Sequence, residues 1–383
     1  MSRKIANTIT CHAWSPDRKQ IALCPNTQDV LIYSNADQAD VSQWKLEHTL
    51  KGHDLIVSAI DWSPVHNKIV TCSHDRNAFV WSLKNNEWKP SLSILRINRA
   101  ALCVKWSPDG KKFAVASGAN VVPVCFYEEA NDWWISKMVK RHKSSVLWVS
   151  WHPNSQLLAT ASSDFRCRVF NVMIDKVDSP VDAILCGNTS LAGFGDVLAE
   201  YDGSNGWVEG CAWSPDGFTL AYVGHDSTVT FNSWDPKQPK AAESKNTTLR
   251  ENFLPSIVCL FLSNTVCVTA GHDMKPHVYQ NQNGNWTYLG STDKEPAAAS
   301  GKKAEEPVDA RKMWANKTVK GQEDSTGDST NWTKHANSIT DIKPYGDTQW
   351  SIKCDAFSTS GLDGQVHVWQ AAEFKSNVPG LVL

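Results

Sequence analysis

The sequence predicts an all-β fold, a closed propeller of seven blades, and three observations carry that prediction. Tryptophan is unusually frequent, at 18 of 383 residues. Five tryptophans sit in one recurring context: CHAWSPDRKQIAL from Cys11, AIDWSPVHNKIVT from Ala59, CVKWSPDGKKFAV from Cys103, WVSWHPNSQLLAT from Trp148 and GCAWSPDGFTLAY from Gly210. The repeated Trp falls at 14, 62, 106, 151 and 213, with spacings of 48, 44, 45 and 62. A period of about 40–45 residues with Gly-His and Trp-Asp-like signatures marks a propeller blade.

Each unit reads as strands separated by turns. In the second, Val57 to Trp62 alternates toward a buried Trp, and Ser63-Pro64 ends it because proline cannot donate to a ladder. Lys68 to Ser73 is the next strand, His74-Asp75-Arg76-Asn77 a turn, and Ala78 to Trp81 the third strand. A hairpin at Asn85-Asn86-Glu87 leads into a fourth strand at Trp88, since Asn suits the positive φ of a tight hairpin. The same turn-then-Trp recurs at Trp133 and Trp286.

Two degenerate units complete the set. Ser256 to Tyr279 puts Phe261 at the inner Trp position, and Ser338 to Trp369 ends in STSGLDGQVHVW. The last unit supplies three strands, so Lys4 to Thr10 is expected to add the fourth by pairing near Gln365 to Trp369 and close the ring. Asp175 to Gly206 reads as an extended connection between blades four and five. Residues 290–334 read as a flexible surface insertion before the last blade, rich in Lys, Glu, Ala, Ser and Thr. Within it, residues 307–317 carry helix signals: Pro307 at the start, Asp309 in the first turn and Lys317 late. The domain reading is one propeller over 1–383.

Composition excludes several function classes. With 38 basic and 40 acidic side chains, a net charge of −2 gives no global reason to bind nucleic acid or an anionic membrane. No run approaches the length of a membrane-spanning helix, and the opening MSRKIANTITCHAWSPDRK reads as no secretory signal. The 11 cysteines are scattered, with no C-x-x-C, and read as buried free thiols of a reducing compartment. No P-loop and no G-x-S-x-G elbow occur, so neither a cofactor nor a metal is expected and the chain reads as no enzyme.

His53, Thr71, Asp75 and Trp81 follow the order of the hydrogen-bonded tetrad of WD repeats. His335, Thr359, Asp363 and Trp369 repeat it, and His142, Thr160 and Asp164 do so with Phe170 in place of Trp. A His-Asp-Thr set could be a nucleophile. Its copying across blades argues instead for a structural corner, because a single active site needs one copy. The fold is thus expected to be a seven-bladed WD-repeat β-propeller with a partly disordered insertion carrying a short helix before the last blade.

Arg96, Arg99 and Lys105 form a basic stretch, as do Lys137, Lys140, Arg141 and Lys143, with Arg166 and Arg168 nearby. They read either as solvated charge or as a face that meets an acidic protein surface. Trp314 lies in a polar insertion, sharing a helical face with Ala310 and Met313. It reads either as packed back on the propeller wall or as an aromatic anchor for a partner.

The stretches KIVTCSHDRNAFVW at 68–81, WKPSLSILRINRAA at 88–101, NDWWISKMVKR at 131–141 and HDSTVT at 225–230 resemble subunit 1 of the actin-related protein 2/3 complex. The similarity runs from about Cys11 to Tyr279 and resumes at His335 to Trp369. That resemblance implies a non-catalytic scaffold assembled with actin-related proteins 2 and 3 and the other subunits, supporting nucleation of branched actin filaments. It implies a cytoplasmic, cytoskeletal location at actin patches or the cell cortex. It also implies that the propeller helps bind acidic tails of nucleation-promoting factors, with Arg96, Arg99 and Arg141 as candidates. The insertion helix would reach the mother filament through Arg311, Met313 and Trp314, with Met313 where the resemblance leads one to expect a basic residue. The competing reading is an adaptor of another complex, such as a ubiquitin-ligase substrate receptor. Such receptors carry an extra recruiting domain before the propeller, and here the first blade begins by Cys11.

Overall fold

A computed structural model describes residues 4–179, 193–235, 237, 244–293, 333–346 and 354–383. They form seven antiparallel sheets, six of four strands and one of three, each with its strands in sequence order. The blades span residues 11–50, 57–94, 101–139, 146–201, 208–250, 256–291 and 339–370. Each inner strand neighbours the next, and Ile339–Tyr345 of blade seven neighbours Cys11–Trp14 of blade one, so the ring closes.

Burial follows position in the blade. Second strands such as Leu157–Ser162 and Val266–Gly271 are buried at every residue, because both faces pack on adjacent blades. Outer strands such as Lys45–Leu50 are mostly exposed. The core is seven apolar clusters, one for each pair of neighbouring blades. The recurring Trp14, Trp62, Trp106, Trp151 and Trp213 end the inner strands and are buried in these clusters. The hairpin at Asn85 (φ 51°) and Asn86 (φ 60°) has the two left-handed residues that its tight turn requires.

Two expectations change. The stretch 175–206 is not all connection, because Val197–Tyr201 forms the outer strand of blade four. Its partner strand Cys167–Asn171 recruits it through a bulged register, a long-range choice that weak local alternation does not announce. The N-terminal segment adds no strand to blade seven among the described residues. Ile5 N donates to Gly364 O at 2.9 Å and Ile9 N to Gly361 O at 3.1 Å, so the backbone of the segment bonds the corner before the last strand, while Ile5, Ala6 and Ile9 share an apolar cluster with Val366 and Val368. Gly364 permits this approach: its φ is +76°, and a Cβ there would lie 1.8 Å from Ala6 O.

The seam between blades seven and one is sealed mainly at the inner strands. His12, fully buried, bonds Ser360 Oγ through Nδ1 at 3.0 Å and Ser358 Oγ through Nε2 at 2.7 Å. Its backbone N–H donates to Asp341 at 3.2 Å, and Trp14 Nε1 donates to Ser358 Oγ at 2.8 Å. Burial lowers the His12 pKa to about 3 despite Asp341, so the ring is neutral. A short helix, Ala371–Phe374, follows the last strand, and Phe374, Val378 and Leu381 pack into the cluster of blades six and seven.

Candidate partner-binding face and the blade tetrads

In blade two, His53 Nδ1 lies 2.7 Å from Asp75 Oδ2 and His53 Nε2 lies 2.9 Å from Thr71 Oγ1. Trp81 Nε1 donates to the same Thr71 oxygen at 2.9 Å. The Thr hydroxyl therefore accepts from Trp and donates to His, which leaves Nδ1 to donate to Asp75. Asp75 also accepts from the backbone N–H groups of Asp54 and Asn77. Blade seven repeats the chain: His335 to Asp363 at 2.9 Å, His335 to Thr359 at 2.8 Å and Trp369 to Thr359 at 2.9 Å. Thr71, Thr359 and His335 are fully buried, so neither hydroxyl is presented to a substrate.

Electrostatics match a locked corner. Burial lowers the His53 pKa, and the bond to Asp75 opposes that shift. For Asp363 burial opposes ionisation, but His335 and the amides of Ala336 and Gln365 outweigh it and hold the pKa below the usual carboxylate value. Blade four differs. His142 Nε2 bonds Thr160 at 2.9 Å, but Asp164 turns to Arg168, whose Nη1 lies 2.8 and 3.0 Å from its two oxygens. Arg168 Nε also meets Glu200 at 2.6 Å, and His142 Nδ1 is left buried with no partner among the described residues.

The basic residues divide into two groups. Lys105 does not join Arg96 and Arg99 at the surface: strand alternation turns it into the central channel, 4.5 Å over the Trp148 ring. Arg166 pairs with Asp202 at 2.6 Å, and Arg168 is buried in its carboxylate pair. Arg96, Arg99, Lys140, Arg141 and Lys143 are exposed, and among the described residues none forms an ion pair. They lie on the connections entering the inner strands Ala101–Trp106 and Val146–Trp151, adjacent loops on the tetrad face. Arg99 and Ser145, one from each connection, line a common open cleft. Arg311, Met313, Trp314 and the expected helix at 307–317 lie outside the described residues.

The channel holds a charge cluster that motif reading missed. Lys343 Nζ of blade seven lies 3.2 Å from Asp61 of blade two and 3.9 Å from Asp341. Burial works against the Lys343 charge, but the two carboxylates outweigh it and raise its pKa. Burial and the neighbouring Lys343 lower that of Lys105. Trp148 packs against clusters of blades three to seven and lines two cavities beside Lys105. A charged residue at alternate positions of a buried inner strand was the available signal, in Asp61, Lys105 and Lys343. Among the described residues no group of His, Cys, Asp and Glu could hold a metal ion, and the ten described cysteines are buried and free.

The WD domain, G-beta repeat model matches residues 44–82, 134–171 and 195–233. The first match begins one strand before blade two, at the outer strand Lys45–Leu50, so each sequence repeat straddles two blades and ties them covalently. The chain is 44% identical over 370 residues to actin-related protein 2/3 complex subunit 1B of Arabidopsis thaliana, covering 96% of this chain and 95% of that protein. It is 40% identical over 381 residues to subunit 1A-B of Xenopus laevis, covering 97% and 96%. To subunit 1 of Schizosaccharomyces pombe it is 37% identical over 372 residues, covering 94% and 95%. Likeness at this level along nearly the whole length of each places the chain in the family of subunit 1 of the actin-related protein 2/3 complex.

Proposed function

We propose that this chain is a non-catalytic scaffold subunit of an actin-related protein 2/3 complex, working in the cytoplasm at the actin cytoskeleton. The observation that carries the reading is the full-length likeness to subunit 1 proteins from a plant, a frog and a yeast. The repetition of the buried tetrad in two blades supports a structural role for it, since each Thr hydroxyl is occupied on both sides. The partners are actin-related proteins 2 and 3, the remaining subunits and the mother filament, with no nucleic acid and no membrane insertion. The uncompensated basic sector at Arg96, Arg99 and Arg141 takes the acidic tails of nucleation-promoting factors, and the insertion around Arg311, Met313 and Trp314 meets the filament.

Two variants test the reading in the assembled complex. Reversing Arg96, Arg99 and Arg141 to Glu is expected to weaken acidic-tail binding by on the order of tenfold or more and to flatten its salt dependence, with assembly intact. Equal tail affinity in variant and parent would place the acidic site elsewhere. Trp314→Ala is expected to reduce attachment of branches to mother filaments while the subunit melts and assembles as before. A drop in the melting temperature of the isolated subunit would instead mean that this side chain packs on the propeller.

A further inference from the structure

Blade seven is the sheet of three strands, so its outermost described strand is Val366–Gln370, the position that a fourth strand covers in the other six blades. The bonds Ala371 N to Asp355 O and Gly361 N to Gln365 O set the phase of its ladder with Ala356–Gly361. In that phase Val366, Val368 and Gln370 turn their N–H and C=O groups outward, where no described strand pairs with them. The backbone of the N-terminal segment bonds Gly361 and Gly364, not these groups. The outermost strands of the other blades carry guards against an added strand. Lysine stands in Lys45–Leu50, Glu87–Ile94, Trp133–Val139 and Lys245–Arg250, with Pro90 in the second of these. Val197–Tyr201 and Asn285–Ser291 pair through bulged registers. Val366–Gln370, with the sequence VHVWQ and an unbroken register, has no lysine, no proline and no bulge.

This edge also lies in a recess. It walls a cleft of about 880 Å³ whose other sides include Asp37, Asp40 and Trp44 of blade one, and Lys334 and Glu373. Val366 and Val368 face blade one, in an apolar cluster with Tyr33 and Trp44. Three carboxylates stand in the cleft against the one Lys334 ammonium, which Glu373 already approaches at 3.6 Å. We propose that the edge is a docking slot for an extended, basic segment of another polypeptide of the assembly, which adds the fourth strand of blade seven. The outward groups of Val366, Val368 and Gln370 supply its ladder, and alternate apolar side chains of the segment pack toward Val368 and Trp44. Its lysines or arginines meet Asp37, Asp40 and Glu373. The inference rests on the reading above that the chain works inside a complex of several subunits.

The test uses the purified complex with the photoreactive residue p-benzoylphenylalanine in place of the exposed Gln370, and identifies the cross-linked peptides by mass spectrometry. The expected product joins this position to a stretch of another subunit that carries lysine or arginine. Val368→Pro removes an outward N–H and leaves the inward ladder intact, as Pro90 does on the outer strand of blade two. It is expected to cut the cross-link yield by about tenfold, and so is Asp37→Lys combined with Glu373→Lys. The charge variant alters exposed side chains only, so it decides the matter if the proline variant does not assemble. Cross-links confined to this chain, its first residues included, cross-links between two copies of it, a stretch without a basic residue, or no cross-link at all overturn the proposal. So does a yield that the charge variant leaves unchanged. If actin-related proteins 2 and 3 are missing from the purified assembly, the scaffold reading fails on its own, and the stretch cross-linked in the assembly that does form still decides the slot.

Discussion

Blades two and four carry the same His, Thr and Asp at matching places, yet they solve the same corner differently. In blade two, Phe79 sits opposite Thr71, and Asp75 is free to hold His53. In blade four the residue opposite Thr160 is Arg168, and its guanidinium takes Asp164 away from His142. Blade four also has Phe170 where blade two has Trp81, so Thr160 lacks the indole donor. Both corners keep the Asp and change its partner. What it binds depends on the strongest donor that the third strand offers, and a guanidinium outcompetes a neutral imidazole. Glu200, from the outer strand of the same blade, completes the arginine's pairing.

The largest effect is expected from Asp164→Ala. Arg168 is 2% exposed and would keep only Glu200, so the loss should reach about 3 kcal/mol, the low end for breaking a buried pair. Urea denaturation checks this, and a loss below that of Asp75→Ala would break the comparison. Acid sensitivity comes next. Burial, then Arg168, lowers the His142 pKa from 6.5 to about 4. The unfolded chain therefore takes up that proton first as pH falls. The contribution is fully present above about pH 6.5 and is lost toward pH 4, an effect of up to about 3 kcal/mol. His142→Gln should flatten the stability profile over that window. His53→Gln should flatten it less, because Asp75 opposes the lowering of the His53 pKa.

Asp75→Ala follows, at about 1–3 kcal/mol, because His53 and the amides of Asp54 and Asn77 lose their acceptor. No catalytic rate should respond, and an enzymatic activity abolished by this change would overturn the scaffold reading. The smallest expected shift is the most discriminating one. Arg168→Phe recreates the blade-two arrangement and frees Asp164 for the orphaned His142 Nδ1. Stability should change by under about 1 kcal/mol, as an apolar side chain and a bond to His142 replace the buried pairings of Arg168 with Asp164 and Glu200. The His142 pKa, followed by NMR titration, should rise. An unchanged His142 titration would show that the Arg168 contact is not what diverts the aspartate.

Much of this was readable along the chain. The tetrads of blades two and seven follow from residue order, because each spans one local strand-turn-strand unit. The buried inner Trp positions follow from a period that blades one to five repeat. The outer strand Val197–Tyr201 was not readable, since its alternation is weak and its pairing with Cys167–Asn171 spans a long connection. Lys105 was misplaced for a related reason: a basic run is continuous in sequence, but a strand sends successive side chains to opposite faces.

The sequence by itself determined the blade, its turns and its hydrogen-bonded corner, because those depend on side chains within one repeat. Only the tertiary structure decided how the ring closes. His12 meets Ser358 and Ser360 across nearly the whole chain, and Lys343 meets Asp61 across the channel. Those partners are set by the number of blades and the curvature with which they pack, and no local pattern specifies either. Packing of blade seven on blade six likewise brings the Lys334 amide to Asp293 and its ammonium over Trp369.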